Sequence, residues 1–236
     1  MKLNADLSRR AVMHSETLAW RPSPIAGVER RMLEREGDEV ARATSVVRYA
    51  PGSSFSAHTH DAGEEFLVLE GVFSDETGDF PEGAYVRNPP GSRHAPSSGP
   101  GCTILVKLRQ IPDDDQEYVR RSIHDSDGWR STASSESELD LHRSRHEHVR
   151  IVRWAANTGP RELSYPGGAE YFVLAGGFED EDGVYVRGSW LRLPAGARHA
   201  PFTAQGCTCY VKTGHLGGRP VHGSGYSTEV PAENSK

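Results

Sequence analysis

Two histidines and a glutamate lie within a short stretch of the N-terminal half of this 236-residue chain. His58 and His60 are separated by one residue, so on a β-strand their side chains point to the same face. Residues 61–63, Asp-Ala-Gly, have the composition of a tight turn, and the apolar run that begins at Glu64 is typical of a returning strand. Such a hairpin would place Glu64 beside both imidazoles. Two imidazole nitrogens and one carboxylate oxygen suit a divalent transition metal such as zinc or iron.

A fourth candidate ligand follows a second strand pattern. Residues 84–87 are typical of a strand, and the Pro/Gly-rich turn after them leads directly to His94. The predicted metal ligands are therefore His58, His60, Glu64 and His94. The alternative is a solvated polar strand face, and it leaves the agreement of two independent spacings unexplained.

The same pattern recurs 105 residues later, as from His94 to His199, which indicates an internal repeat. The offset also pairs Glu65 with Glu170, Gly71 with Gly176, Pro89 with Pro194, Cys102 with Cys207, and Lys107 with Lys212. The positions of His58, His60 and Glu64 are taken in the second copy by Leu163, Tyr165 and Ala169. The second copy is therefore predicted to keep the fold and to have lost the metal site. Because Glu65 persists without the histidines, Glu64 is favoured over Glu65 as the ligand.

Composition restricts the class of protein. The chain contains 25 glycines and 15 prolines, which favour many short strands in a β-barrel or sandwich. Its net charge of −6 comes from interleaved signs and indicates no nucleic-acid surface. The sequence has no apolar run long enough to span a membrane and no apolar leader, and its three cysteines argue against a disulfide scaffold, so a cytoplasmic location is expected. Buried apolar packing is expected for Cys102, Cys207 and Cys209.

These residues resemble the two motifs of the cupin superfamily. The first motif, G(x)5HxH(x)3–4E(x)6G, takes Gly52, His58, His60, Glu64 and Gly71. The second, G(x)5PxG(x)2H, takes Gly83, Pro89, Gly91 and His94, although Ser98 stands where the motif usually ends in a non-ligand asparagine. The resemblance implies an all-β protein of two tandem cupin barrels (double-stranded β-helix, jelly roll). We predict an N-terminal barrel at residues 1–112 and a degenerate C-terminal barrel at 113–236, joined by an acidic, Ser-rich linker over 113–136.

Within the superfamily, the spacing of the motif most resembles the ChrR-like cupins, which include the zinc-binding domain of an anti-sigma factor and relatives of acetylacetone-cleaving dioxygenases. The resemblance implies a regulatory or sensor protein with one divalent metal, zinc or iron, and a small-molecule ligand in the N-terminal barrel. In that family a separate N-terminal domain with its own His and Cys zinc ligands binds the sigma factor. Sigma-factor binding is not expected here, because only about 40 residues precede the first clear strand and the first cysteine is Cys102.

The alternative implied by the same resemblance is an enzyme. It would be a mononuclear metal-dependent dioxygenase that acts on a small diketone-like substrate, with the metal as Lewis acid. The ligand set does not choose between zinc and iron, so whether the protein is an enzyme stays open.

Two further groups of residues have competing interpretations. Residues 146–148, His-Glu-His, look like a second histidine pair, but their position in the repeat favours a solvated strand face. Tyr165, Glu170 and His199 would either line a ligand pocket in the second barrel or belong to an interior filled by side chains.

Overall fold

Strands make up nearly all the regular structure in the computed structural model, which describes residues 1–217. In the first half they are β1 (Lys2–Leu3), β2 (Ala11–His14), β3 (Arg21–Pro22), β4 (Val28–Gly37), β5 (Ala41–Tyr49), β6 (Ser53–Ser54), β7 (His58–His60), β8 (Glu64–Asp75), β9 (Gly78–Pro81), β10 (Ala84–Asn88), β11 (Ser92–His94), β12 (Ser97–Ser98) and β13 (Cys102–Leu108). In the second half they are β14 (Val119–Ser122), β15 (Trp129–Ala133), β16 (Glu136–Arg143), β17 (His148–Trp154), β18 (Leu163–Tyr165), β19 (Ala169–Asp180), β20 (Gly183–Val186), β21 (Ser189–Leu193), β22 (Ala197–His199) and β23 (Cys207–Thr213). Short 3-10 helices lie at Ser15–Thr17 and Ser126–Gly128.

Each half folds into a cupin barrel made of one large and one small antiparallel sheet. In the first barrel the large sheet has the order β1-β4-β5-β13-β8-β10-β14, and the small sheet pairs β11 with β7. In the second barrel the order is β15-β16-β17-β23-β19-β21-β2, and the small sheet pairs β18 with β22. The all-β prediction of two tandem barrels is confirmed.

The strand predicted at residues 84–87 is present as part of β10. The predicted hairpin is wrong, because β7 pairs with β11 and β8 belongs to the large sheet. The turn at residues 61–63 therefore carries the chain from one sheet to the other, and a turn sequence alone does not specify which strands pair. The segment 113–136, predicted as a linker, contains β14 and β15 and so belongs to the sheets.

The two barrels exchange strands. β2, near the N-terminus, pairs with β21 of the second barrel, and β14, which follows the first barrel, pairs with β10 of the first. Each half thus contributes one short strand to an edge of the other half's sheet, where an unpaired strand would otherwise be exposed. The boundary between residues 112 and 113 stays a prediction, and residues 218–236 of the predicted second barrel lie outside the described part of the chain.

Three hydrophobic cores follow from this arrangement. The interior of the first barrel contains Phe66, Phe73 and Val86, and the interior of the second contains Tyr171 and Phe178. The third core lies between the barrels and joins side chains from both, including Leu33, Leu67, Tyr85, Ile151, Phe172, Trp190 and Tyr210. Strand alternation explains the division, because successive residues of β8 and β19 face the barrel interior and the junction in turn.

A buried network of charges with approximate two-fold symmetry crosses this junction. The Lys107 ammonium donates to Glu170, and the Lys212 ammonium donates to Glu65, so each barrel supplies one lysine and one glutamate. All four side chains are at most 2% exposed. The network explains why Glu65 and Lys107 persist in both repeats, since unpaired charges at these positions would be costly.

Acid should weaken this junction. Burial alone would raise the pKa of Glu65, but the cations of Lys212, Arg87 and Lys107 outweigh it and hold the pKa at about 2. The pKa of a glutamate carboxyl in the unfolded chain is about 4.3, so the stabilising effect is complete above that pH and is lost as the pH falls towards 2. We expect the melting temperature to fall between pH 5 and pH 3, and to fall less in Lys212→Met, which lacks the main cation. Equal slopes for both proteins in thermal melts would contradict this assignment.

Cys102, Cys207 and Cys209 are free and buried, as predicted. Within residues 1–217, the structure contains no helix with the length and apolarity needed to cross a membrane.

Candidate metal centre in the first barrel

The small sheet of the first barrel brings two of the predicted ligands into direct opposition. In the antiparallel pairing of β7 with β11, His58 lies opposite His94 and His60 lies opposite Ser92. Directly opposed residues share one face of the sheet, and His58 and His60 share that face because they are two residues apart. The three imidazole centroids are 4.8–5.1 Å apart. Register and strand alternation thus produce a cluster of three histidines.

The nitrogen atoms in this cluster are at distances suited to a shared ion. One ring nitrogen from each of His58, His60 and His94 lies within 4.8 Å of the other two. The Nε2 atoms of His60 and His94 are 2.9 Å apart. Ligands at about 2.0–2.1 Å from a transition metal lie roughly 3.0–3.4 Å from one another, so the cluster needs little movement to hold an ion.

Glu64 faces the same cluster, whereas Glu65 does not. The Oε2 atom of Glu64 lies 3.4 Å from Nε2 of His60 and 3.5 Å from Nε2 of His94. The next side chain on β8, Glu65, faces the junction and accepts a hydrogen bond from Tyr85 at 2.6 Å. The structure therefore brings His60, Glu64 and His94 together at the end of the barrel interior, with His58 beside them.

Hydrogen bonds on the far side of two rings orient their nitrogens. Nδ1 of His94 lies 3.3 Å from Oδ2 of Asp75, and Nδ1 of His58 lies 3.1 Å from the carbonyl oxygen of Ser56. A carboxylate or carbonyl at this distance accepts a hydrogen bond from Nδ1–H and leaves the Nε2 lone pair directed at the cluster. Sequence reasoning missed Asp75, although the repeat contains a signal for it, because Asp75 and Asp180 differ by the same 105 residues as His94 and His199.

Burial shifts the titration of the cluster in the direction that metal binding needs. It lowers the pKa of His60 to about 4, with the neighbouring His58 adding to the effect. Burial also lowers the pKa of His94, against the opposing influence of Glu64. The pKa of Glu64 is raised, again chiefly by burial. Two imidazoles are thus neutral near pH 7, and the buried carboxylate would gain from a cation beside it, so the donor set fits a divalent metal.

The equivalent place in the second barrel is filled by aromatic rings. The ring of His199 packs 5.7 Å from that of Tyr165 and 5.5 Å from that of Tyr171, whose hydroxyls are hydrogen-bonded to each other. Nδ1 of His199 lies 3.1 Å from Asp180, as in the first barrel, but its Nε2 has no hydrogen-bond partner among residues 1–217. Glu170 lies at the junction instead, where it accepts from Lys107, so the three residues do not form one pocket.

A second group of potential ligands lies at the junction and was missed by sequence reasoning. Asp115, His142 and Glu147 are all buried, and their donor atoms lie within 4.8 Å of one another. Both carboxylates already have cationic partners, since Arg87 lies 2.9 Å from Asp115 and Lys212 lies 3.0 Å from Glu147. This group is therefore a charge-balanced extension of the lysine–glutamate network.

The same group corrects the interpretation of residues 146–148 as a solvated strand face. Glu147 is 4% exposed and lies in the junction, beside Arg87 and Lys212. It precedes strand β17, which begins at His148, so strand alternation does not apply to it. His146 and His148 are more exposed and lie beside Asp114 and Asp140. The two histidines thus do not converge on a shared site.

The family described as the ChrR cupin-like domain matches residues 8–112 and 126–217, which together are most of the chain. The chain belongs to the ChrR cupin-like domain family. Its two matched segments correspond to the two barrels and leave the region of β14 between them uncovered. Comparison with curated protein sequences finds no match.

Solved structures share the fold of this ChrR cupin-like protein at low identity. A candidate dioxygenase from Nostoc punctiforme aligns with a TM-score of 0.70 and 16% identity, covering 91% of this chain and 85% of the other. The protein Ylba from E. coli aligns at 0.67 and 16%, covering 89% and 93%. A variant of the oxalate decarboxylase of B. subtilis aligns at 0.59 and 12%, covering 86% and 77%. These likenesses establish the fold.

Substitution of Asp75 tests how the ChrR cupin-like site orients its histidine. Asp75→Asn keeps the shape of the side chain but removes the charge that favours the Nδ1-protonated tautomer of His94. We expect zinc affinity, measured by chelator competition, to fall about 10–100-fold. Asp180→Asn is the matched control, because Asp180 holds His199 in the barrel without the ligand set. A larger loss of affinity in the control would contradict the assignment of the site to the first barrel.

Proposed function

We propose that the protein is a regulatory or sensor bicupin that binds one divalent transition metal, zinc or iron, in its N-terminal barrel. The proposed ligands are His58, His60, Glu64 and His94. The observation that carries the proposal is the cluster of three imidazoles with the Glu64 carboxylate beside two of them, whereas the second barrel has apolar or aromatic side chains in place of His58, His60 and Glu64. The two barrels have equivalent strand orders, so the fold alone does not require different side chains at these positions.

Membership of the ChrR cupin-like family supports the regulatory part of the proposal. The site also has one accessible side, because His58 is exposed while His60, Glu64 and His94 are buried. A small molecule or oxidant that reaches the site would therefore meet His58 first. Sigma-factor binding is not part of this proposal.

The second candidate function is a mononuclear dioxygenase, and the same exposed side supports it. An ion held by buried ligands on one side and accessible at the other could bind a diketone-like substrate, for which it would act as a Lewis acid. In that case His60, Glu64 and His94 would anchor the ion, and the aromatic wall that includes Phe73, 5.9 Å from the His94 ring, would exclude water. The likeness to a candidate dioxygenase from Nostoc punctiforme agrees with this function through the fold only.

One experiment separates the two functions. Protein purified without oxygen would be analysed for metal content and then tested for oxygen uptake with a panel of small diketones. Tightly held metal without uptake supports the regulatory function. Uptake that is lost in His60→Ala and retained in His199→Ala supports the enzyme and overturns the first proposal. The absence of bound metal after exposure to zinc and to iron would overturn both.

A further inference from the structure

Arg120 lies at the edge of the first barrel on a strand that follows this barrel in the sequence. In the pairing of β14 with β10, Arg120 lies opposite Val86, and directly opposed residues share one face of a sheet. Val86 is fully buried in the interior of the first barrel. Arg120 is exposed overall, and its guanidinium lies over the half-buried ring of Phe80, 5.4 Å from the ring centroid. β14 thus brings a positive charge to the barrel that contains the histidine cluster.

A chain of hydrogen bonds connects this charge with Glu64. The NH2 group of Arg120 donates to Oδ1 of Asn88 at 2.8 Å. Because the guanidinium only donates, it fixes which end of the Asn88 amide is the oxygen, and the amide nitrogen must point the other way. That nitrogen lies 3.4 Å from Oε2 of Glu64, the oxygen that faces His60 and His94. The NH1 group of Arg120 is itself held by two backbone carbonyls, those of Arg87 and Val119.

The second barrel serves as an internal control. Its exchanged strand β2 places Val12 opposite Leu191, the counterpart of Val86, so Val12 occupies the position of Arg120. Leu193 pairs with Ala169 where Asn88 pairs with Glu64. The hydrogen-bonded series consists of Arg120, Asn88 and Glu64. Apolar residues take all three positions in the second barrel, which also lacks the histidine pair.

The residues of the junction behave in the opposite way. Glu65, Arg87 and Lys107 of the first barrel are kept as Glu170, Arg192 and Lys212 in the second. The junction residues are kept, whereas most residues of the metal centre are replaced: His94 and Asp75 persist as His199 and Asp180, but His58, His60 and Glu64 do not. Arg120, Asn88 and Glu64 follow the second pattern and are replaced together, although the backbone pairing around them is the same in both barrels.

We propose that Arg120 and Asn88 are positioning residues of the metal centre, which hold the Glu64 carboxylate with Oε2 directed at the ion. This inference rests on the proposed metal site. Arg120 lies between the two segments that match the family, so it belongs to a part of the chain that the family pattern leaves unassigned. The metal centre of the first barrel is therefore completed by the strand that leads into the second half.

The test introduces the residues of the second barrel into the first. Arg120→Val and Asn88→Leu, singly and together, would be compared with wild type in full-length protein reconstituted with cobalt(II) or zinc. Arg121→Val is the matched control, because Arg121 is the next residue on β14, is exposed like Arg120 and faces the other side of the sheet. The readouts are affinity by chelator competition and the visible absorption of bound cobalt, which reports how the carboxylate coordinates.

We expect Arg120→Val and Asn88→Leu each to weaken metal binding about 10–100-fold and to alter the cobalt spectrum, with Arg121→Val unchanged. The double variant should be little weaker than Asn88→Leu, because both residues act through one chain of contacts. Arg120→Lys, which keeps a charged donor, should recover part of the affinity. Melting of the metal-free proteins is measured in parallel, and a spectral change without loss of fold supports the positioning role.

Two results distinguish failure of the positioning role from failure of the metal site. Wild-type affinity and an unchanged spectrum in both Arg120→Val and Asn88→Leu would overturn the positioning role while leaving the metal site intact. If wild type binds no metal, or if His94→Ala binds it as tightly as wild type, the metal site itself is refuted and the positioning role with it.

Discussion

His94→Ala should bring the metal content of the protein from about one ion per chain to nearly none, whereas His199→Ala should leave it at one. Both histidines end equivalent strands, both are buried, and both hold an aspartate through Nδ1. Only Nε2 of His94 has ligand partners around it, namely His60 at 2.9 Å and Glu64 at 3.5 Å. Loss of an outer partner already costs about 10–100-fold in affinity, so the loss of a ligand should cost more than about 100-fold.

The two variants form a matched pair for this measurement. Metal content after dialysis, determined by elemental analysis, would be compared with that of wild type at equal protein concentration. Since the two substitutions remove the same side chain from equivalent strands, general damage to the fold would affect both. A variant pair in which His199→Ala loses the ion and His94→Ala retains it would reverse the assignment of the two barrels.

Lys212→Met should destabilise the protein by about 3–5 kcal/mol, the largest effect that we expect from a change outside the metal centre. Lys212 is fully buried at the junction and is bonded to Glu65 and, at 3.0 Å, to Glu147. Its replacement leaves buried carboxylates without their closest cation in a region that excludes water. The free energy of unfolding from denaturant titration measures the loss.

A surface ion pair supplies the control for this effect. Arg198 and Glu162 are 3.0 Å apart and both are 65% exposed, so Arg198→Met should change stability by only about 0–1 kcal/mol. Equal effects in the two variants would mean that the junction charges contribute no more than surface charges. In that case their persistence in both repeats would need another explanation.

Much of the architecture could be predicted from the sequence because it repeats. The 105-residue offset places glycines, prolines and apolar strands in the same order twice, and these residues encode backbone geometry directly. The same offset identified Glu65 as a residue kept for structure, and the structure places it in the junction network with Lys212. A comparison of the two halves therefore separated architecture from chemistry without any second sequence.

The remaining features depend on contacts between distant parts of the chain. The predicted hairpin failed because the turn after His60 leads to another sheet, and no local signal distinguishes the two possibilities. The exchange of β2 and β14 was not predicted, since both strands are short and partly polar and gain their partners only across the junction. For the same reason Arg120 looked like part of a linker, and Glu147 looked solvated although Arg87 and Lys212 surround it.

The most direct test of the metal site is diffraction from metal-loaded crystals at the absorption edge of the bound ion. A single anomalous peak is expected within about 2.0–2.3 Å of donor atoms of His58, His60, Glu64 and His94. A peak among Asp115, His142 and Glu147, or beside His199 and Tyr165 in the second barrel, would contradict the account.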